Sequence, residues 1–404
     1  MKTKLKYLVA VLGSLGIINH VSAQLYIDNI FTTLPQSKVF VDGDVIYAGN
    51  TSQNISHQGD LEIKGNWYNN SSNDLKVFTD ASTGKIILSG AIQTFNGLVT
   101  RFPDLLLSGS DKKVQNTSIE ITHLLELTDK ELDVNGHTAF VLSTNVDAMR
   151  QTTGYINTST SKEGFLIRSM DNSSSYLFPL GNKTDGVYRY RPLQVKADKA
   201  GNIGCQFQNY RADRDYYNTE DTKEGVKGVN EHFYHGLMTQ DADNKVTLSV
   251  PFNTVVDGAF ENITEWDEEA RKWGLVKTTN PSSSNFRTTT VNLNTAEKLS
   301  ITNSEVLPIA LAGQFMPDLF IPNVFTPNAD QNNDDFVVRG LKENYPENEL
   351  VIINRWGNEV FKATNYQNDW NGSDLHEGVY FYILKVKPKN GGTKSFTGYV
   401  HIIR

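Results

Sequence analysis

A short strand-and-turn pattern recurs between Gln24 and Thr160 and constrains the fold more than any other feature. It reads as an apolar residue, any residue, a second apolar residue, a polar residue and a turn former. The copies are Val39-Phe40-Val41-Asp42-Gly43, Leu61-Glu62-Ile63-Lys64-Gly65, Ile86-Ile87-Leu88-Ser89-Gly90, Leu105-Leu106-Leu107-Ser108-Gly109, Leu125-Glu126-Leu127-Thr128-Asp129 and Leu132-Asp133-Val134-Asn135-Gly136. Most lie about 20 to 25 residues apart, the length of one solenoid coil. In such a coil, alternate side chains of a short strand enter a shared core, and the turn former frees the chain to bend out of the strand. Stacked coils then hydrogen-bond to their neighbours. An ordinary β-sandwich with evenly spaced hairpins remains an alternative at this point.

After Thr160 the repeat fades and longer alternating runs replace it, such as Val246-Thr247-Leu248-Ser249-Val250 and Thr288-Thr289-Thr290-Val291-Asn292-Leu293. These read as antiparallel strands of a sandwich. Thr264 to Lys272 is the best helical candidate, but it is short and highly charged, and Trp266 and Trp273 flank Asp267-Glu268-Glu269 as the bases of a hairpin would. The expected fold is all-β: a β-solenoid resembling a parallel β-helix over residues 24–160, a β-sandwich over 161–315, and a small C-terminal β-sandwich over 316–404. Leu311 to Pro317 reads as the linker to the last unit.

Lys2, Lys4 and Lys6, an apolar run from Tyr7 to Ile18, and Val21-Ser22-Ala23 have the form of a signal peptide over residues 1–23, cleaved after Ala23. The apolar run is shorter than the ~20 residues a membrane-spanning helix needs. A formal charge of −8 and the lack of any Lys or Arg run argue against nucleic acid as a partner. The single cysteine, Cys205, has no internal disulfide partner and reads as a buried, inert thiol.

The last 85 or so residues carry an ordered series of blocks. They are Leu319-Phe320-Ile321-Pro322-Asn323-Val324-Phe325-Thr326-Pro327-Asn328, Leu350-Val351-Ile352-Ile353-Asn354-Arg355-Trp356-Gly357-Asn358, Asn368-Asp369-Trp370-Asn371-Gly372, Gly378-Val379-Tyr380-Phe381-Tyr382 and the terminal Gly398-Tyr399-Val400-His401-Ile402-Ile403-Arg404. This segment resembles the gliding-motility-associated C-terminal domain, the type B sorting domain of type IX secretion cargo. Phe178-Pro179-Leu180-Gly181-Asn182 and Tyr188-Arg189-Tyr190-Arg191-Pro192-Leu193 are similar to stretches of secreted multidomain surface proteins of the same bacterial group. The resemblance implies export through the type IX translocon to the cell surface or beyond. It also implies partnership with an outer-membrane barrel of the SprF or PorP kind; a larger surface adhesin is a further candidate partner. Pro322, Asn323, Phe325, Pro327, Arg355, Trp356, Gly357, Asp369, Trp370, Gly372, Tyr380 and Tyr382 are its motif residues. Trp356 and Tyr380 are candidate docking side chains, with core packing as the alternative. Strand alternation places Val351, Ile353 and Trp356 over the hairpin's core.

Where related sequences often have Asn-Gly-Asp-Gly, this chain has Asn328-Ala329-Asp330-Gln331-Asn332-Asn333-Asp334-Asp335. The oxygens of Asn328, Asp330, Asn332 and Asp334 alternate as calcium ligands do, but the loop lacks the sixth-position glycine and has Arg339 at the twelfth position. A turn held by Asx hydrogen bonds is the alternative. No Gly-x-Ser-x-Gly, phosphate loop or His-Glu-x-x-His occurs. His232 and His235 fall on opposite faces of a strand, and Asp213, Asp215, Glu220 and Asp221 read as a solvated loop. The expected function is a non-enzymatic surface protein, an adhesin or an accessory of the gliding apparatus. A carbohydrate-binding or polysaccharide-degrading protein, using solenoid carboxylates such as Asp60 or Glu62, is the alternative.

Overall fold

The computed structural model describes residues 24–404 except 29, 50–54, 73–76, 185, 227, 241–242, 255, 259, 279–284, 295–305, 314–318, 331, 346 and 388–392. The signal-peptide segment lies outside the described residues. A solenoid of about six turns fills residues 25–157. Each turn gives one strand to each of two parallel sheets. The first sheet stacks Leu25–Ile27, Val45–Tyr47, Trp67–Asn69, Gln93–Gly97, Lys113–Gln115, Glu131–Asp133 and Tyr155–Asn157. The second stacks Lys38–Val41, Asp60–Ile63, Lys85–Leu88, Thr100–Leu107, Ile119–Glu126, Thr138–Val141 and Phe165–Met170.

The sequence repeat and the register coincide. Val39 pairs with Leu61, Leu61 with Ile86, Ile86 with Leu105, and Leu105 with Leu125, so five copies of the pattern stack on one sheet. The sixth, beginning at Leu132, falls on the other sheet, between Lys113 and Ile156. Val39 is partly buried, and the later copies bury their apolar positions: Leu61, Ile63, Ile86, Leu88, Leu107, Leu125 and Leu127 have no exposed surface. The corner glycines are required by close approach. Gly109 has φ +85°, and a Cβ there would collide with the carbonyl oxygen of Gly90 in the coil below. Trp67 anchors the early coils: its ring stacks on Phe78 at 5.7 Å, meets Phe102 edge-on at 5.3 Å, and donates Nε1–H to Thr100 Oγ1 at 3.0 Å.

The second sheet does not stop where the solenoid stops. After Phe165–Met170 it continues through Gly201–Gln208, Tyr234–Thr239, Leu307–Ala312, Asn262–Asp267 and Lys272–Val276, now antiparallel. A four-stranded antiparallel sheet, Tyr176–Phe178, Leu193–Ala197, Asn244–Pro251 and Phe286–Leu293, supplies the opposing layer. Cys205, Phe207, Leu237 and Ile309 of the long sheet join Phe178, Val195, Leu248 and Val291 in one apolar cluster that also contains the solenoid interior. Burial pushes the Cys205 thiol well above its ordinary pKa. Thr264 to Lys272 is a hairpin in which Trp266 pairs with Trp273. Leu311 and Ala312, expected in a linker, are the buried end of a central strand, so the connector starts no earlier than Gly313.

The C-terminal unit is a five-stranded sheet ordered Val324–Phe325, Lys394–Ile402, Gly378–Lys387, Glu347–Ile353 and Glu359–Thr364. Among the described residues its inner face is covered by loop side chains, Phe336, Val338, Tyr366 and Trp370, and by Leu341 from the short helix Leu341–Asn344.

Candidate functional site

The motif residues of the C-terminal unit divide into a packed interior and an exposed rim. Phe325 is buried on a two-residue strand that runs parallel to the last strand, and its backbone carbonyl accepts Ile403 N–H at 3.2 Å. Its ring lies 5.3 Å from Trp370 and 6.1 Å from Phe336. Trp370 also packs on Phe361 at 5.6 Å, and its backbone N–H donates to Tyr366 Oη at 3.1 Å. The Tyr366 hydroxyl in turn donates to the Phe336 carbonyl at 2.7 Å, tying the covering loops to one another. Desolvation raises the Tyr366 phenol above its ordinary range, which keeps it a donor.

Gly372 is fixed by space and dihedral: φ is +61°, and a Cβ would come within 2.7 Å of Ile402 Cδ1. Its carbonyl accepts a hydrogen bond from the Arg404 guanidinium at 2.8 Å, so the Asn-Gly block and the terminal arginine hold each other. Pro322 and Pro327 are half-buried, Asn323 and Asp369 are exposed, and the Asn323 carbonyl accepts His401 N–H at 2.9 Å.

Tyr380 is buried in the core, its hydroxyl donating to the His376 carbonyl at 3.0 Å, and Tyr382 is half-buried against Phe336 at 5.9 Å. Trp356 is not over the core. It is 72% exposed at the tip of a hairpin, with the Arg355 guanidinium 4.6 Å from its ring centroid. Asn354 builds that tip: its Oδ1 accepts the N–H groups of Trp356 and Asn358, each at 3.0 Å, and Gly357 takes φ +84°. Sequence alternation misplaced this strand. Leu350 and Ile352, rather than Val351 and Ile353, have no exposed surface. All four positions are apolar, so a one-residue choice of face was open, and such a choice flips every side chain.

The consequence is an apolar outer face that the motif residues do not reveal. Phe381, Tyr399, Val379 and Val324 are 44%, 52%, 45% and 42% exposed. Phe381 pairs with both Tyr399 and Ile353, while Val379 and Val324 flank His401. Period-two alternation from Tyr380 and Tyr382 was the signal that could have found Phe381.

The acidic loop is arranged by backbone hydrogen bonds. Asn328 Oδ1 accepts Asp330 N–H, Asp330 Oδ1 accepts Asn332 N–H, and Asp334 Oδ1 accepts Ala329 N–H, at 3.2, 2.8 and 2.7 Å. The first two are Asx turns of the alternative reading, and the third closes the loop from Asp334 back to Ala329. No group of three or more His, Cys, Asp or Glu residues is gathered as metal ligands among the described residues. His232 is exposed and His235 is fully buried, so they share no site. Asp60 and Glu62 are half-buried on the solenoid, where Glu62 accepts a hydrogen bond from Ser89 Oγ at 2.6 Å.

No curated protein and no solved structure matches the chain. Residues 319–402 match the CHU_C Type IX secretion signal domain. This C-terminal unit is therefore a type IX secretion signal, through which the chain engages the type IX secretion machinery and is exported to the cell surface or the extracellular space.

Proposed function

We propose that the protein is a non-enzymatic structural or interaction component of the cell surface, an adhesin or an accessory of the gliding apparatus. It is retained there by its secretion signal domain. The observation that carries this reading is the outer face of that domain, where Phe381, Tyr399, Val379 and Val324 stand in solvent beside the exposed Trp356 tip. An aromatic patch without cover is a common mark of a protein interface. An outer-membrane barrel of the SprF or PorP kind is the partner that fits, and a larger surface adhesin would be the next contact. The long shared core of solenoid and sandwich supports a stiff spacer standing between this anchor and the surroundings.

The experiment is a pull-down of the tagged protein from detergent-solubilised outer membranes, with mass spectrometry of what is recovered. Recovery of a barrel with the wild-type chain, and its loss when Phe381 and Tyr399 are both replaced by Ser, is the expected result. A chain recovered alone, with most of the protein in the medium, would refute retention.

A further inference from the structure

A cleft of about 980 Å3 lies on the long sheet, between the turn Ala212–Asp215 and the tip of the Trp266/Trp273 hairpin. Its volume is within the ~300–1,000 Å3 typical of small-molecule pockets. Two carboxylates in its wall, the half-buried Asp215 and the exposed Glu268, each accept aromatic donors through one oxygen. Asp215 Oδ2 accepts the Tyr210 hydroxyl at 2.8 Å and also the Tyr234 hydroxyl. Glu268 Oε2 accepts the Trp266 indole N–H at 2.9 Å. Asp215 Oδ1 and Glu268 Oε1 are engaged by no hydrogen bond among the described residues. Each thus presents one oxygen to a donor, and the two tyrosine hydroxyls that hold Asp215 lower the ordering cost of binding there.

The same wall is aromatic. Tyr217 packs edge-on against Tyr234 at 5.8 Å and Trp266 at 5.5 Å. Tyr216, its neighbour, is 75% exposed and takes φ +73°, a conformation that costs a bulky residue roughly 1–3 kcal/mol. The Lys162 ammonium lies 5.9 Å from the Tyr216 ring, so a cation already occupies one approach to it. Carboxylates outnumber cations in the lining, with Glu163, Asp215, Glu268 and Glu269 against Lys162 and Arg271, which disfavours an anionic ligand.

We propose that this cleft binds a neutral oligosaccharide, whose hydroxyls donate to Asp215 Oδ1 and Glu268 Oε1 while the C–H face of one ring stacks on Tyr216. Carboxylate acceptors beside an aromatic plate suit a ligand that alternates hydroxyl donors with apolar ring faces. The site is independent of the C-terminal signal domain, so it stands or falls separately from the retention reading.

The test is calorimetric titration of the full mature chain with cellohexaose, laminarihexaose, xylohexaose, mannohexaose and chitohexaose, with tryptophan fluorescence followed in parallel because Trp266 lines the cleft. Binding of at least one hexasaccharide is expected. Glu268→Gln and Tyr216→Ala should each weaken it by about tenfold or more, without moving the thermal midpoint appreciably. Asp215→Asn should weaken it likewise. Absence of binding across the panel overturns the proposal, as does binding that Tyr216→Ala and Glu268→Gln leave unchanged. Preferential, cleft-dependent capture of a lysine-rich peptide over every saccharide would also overturn it.

Discussion

Phe381 and Tyr399 stand opposite each other on neighbouring strands of the C-terminal sheet, on the face turned away from the core. Replacing both with Ser removes a cross-strand aromatic pair of ~0.2–1 kcal/mol. The domain should therefore stay folded, while surface immunolabelling of intact cells falls several-fold. Unchanged labelling would leave the outer face without a role in retention.

Trp370 is the opposite case, since it is enclosed by Phe325, Phe336 and Phe361. Trp370→Ala should cost ~3–5 kcal/mol, the usual penalty for emptying a large aromatic site. Limited proteolysis of the full chain should then cut within residues 319–402 first and leave the solenoid intact.

Asp257 has a fully buried side chain clasped by two guanidinium groups, Arg189 Nε at 3.0 Å and Arg191 Nε at 2.8 Å. Asp257→Ala strands both charges in the sandwich. A loss of ~3–5 kcal/mol is expected from breaking such a buried pair, read as a lower urea midpoint.

His235 is fully buried between Phe207 and Phe233, and its Nε2 lies 3.0 Å from the Arg191 carbonyl. Desolvation brings its pKa down to about 4 from the ordinary 6.5. The unfolded chain takes up this proton below pH 6.5, whereas the folded chain takes it up only near pH 4. His235 therefore contributes its full stability above pH 6.5 and loses it as the pH falls towards 4, by ~3 kcal/mol. His235→Gln should flatten that part of the urea-midpoint profile relative to wild type. Parallel profiles would contradict the burial argument.

Much of the solenoid was legible because its constraint is local. Val39, Leu61, Ile86, Leu105 and Leu125 recur at coil length, and the structure pairs them in that order. The copy at Leu132 looks identical in sequence but sits on the other sheet, because a repeat states where a strand is and not which layer receives it. The continuation of one sheet from parallel Phe165–Met170 to antiparallel Gly201–Gln208 was equally hidden, since both arrangements use the same alternation. In the C-terminal unit, Phe325 and Trp370 were found as motif residues, but their burial was not. The apolar run Leu350-Val351-Ile352-Ile353 concealed which face is exposed, for the same reason that both faces of that strand are apolar. The carboxylates of the cleft were visible only as a charged stretch, because Tyr234, which helps fix Asp215, is 19 residues away in sequence.

The most direct measurement is the location of a chain truncated before Leu319, followed by cell fractionation and protease accessibility on intact cells. The account predicts that the truncated protein stays in the periplasm, folded through its solenoid and sandwich, and is protected from external protease. Normal display of the truncation on the cell surface would contradict the assignment of export to residues 319–402.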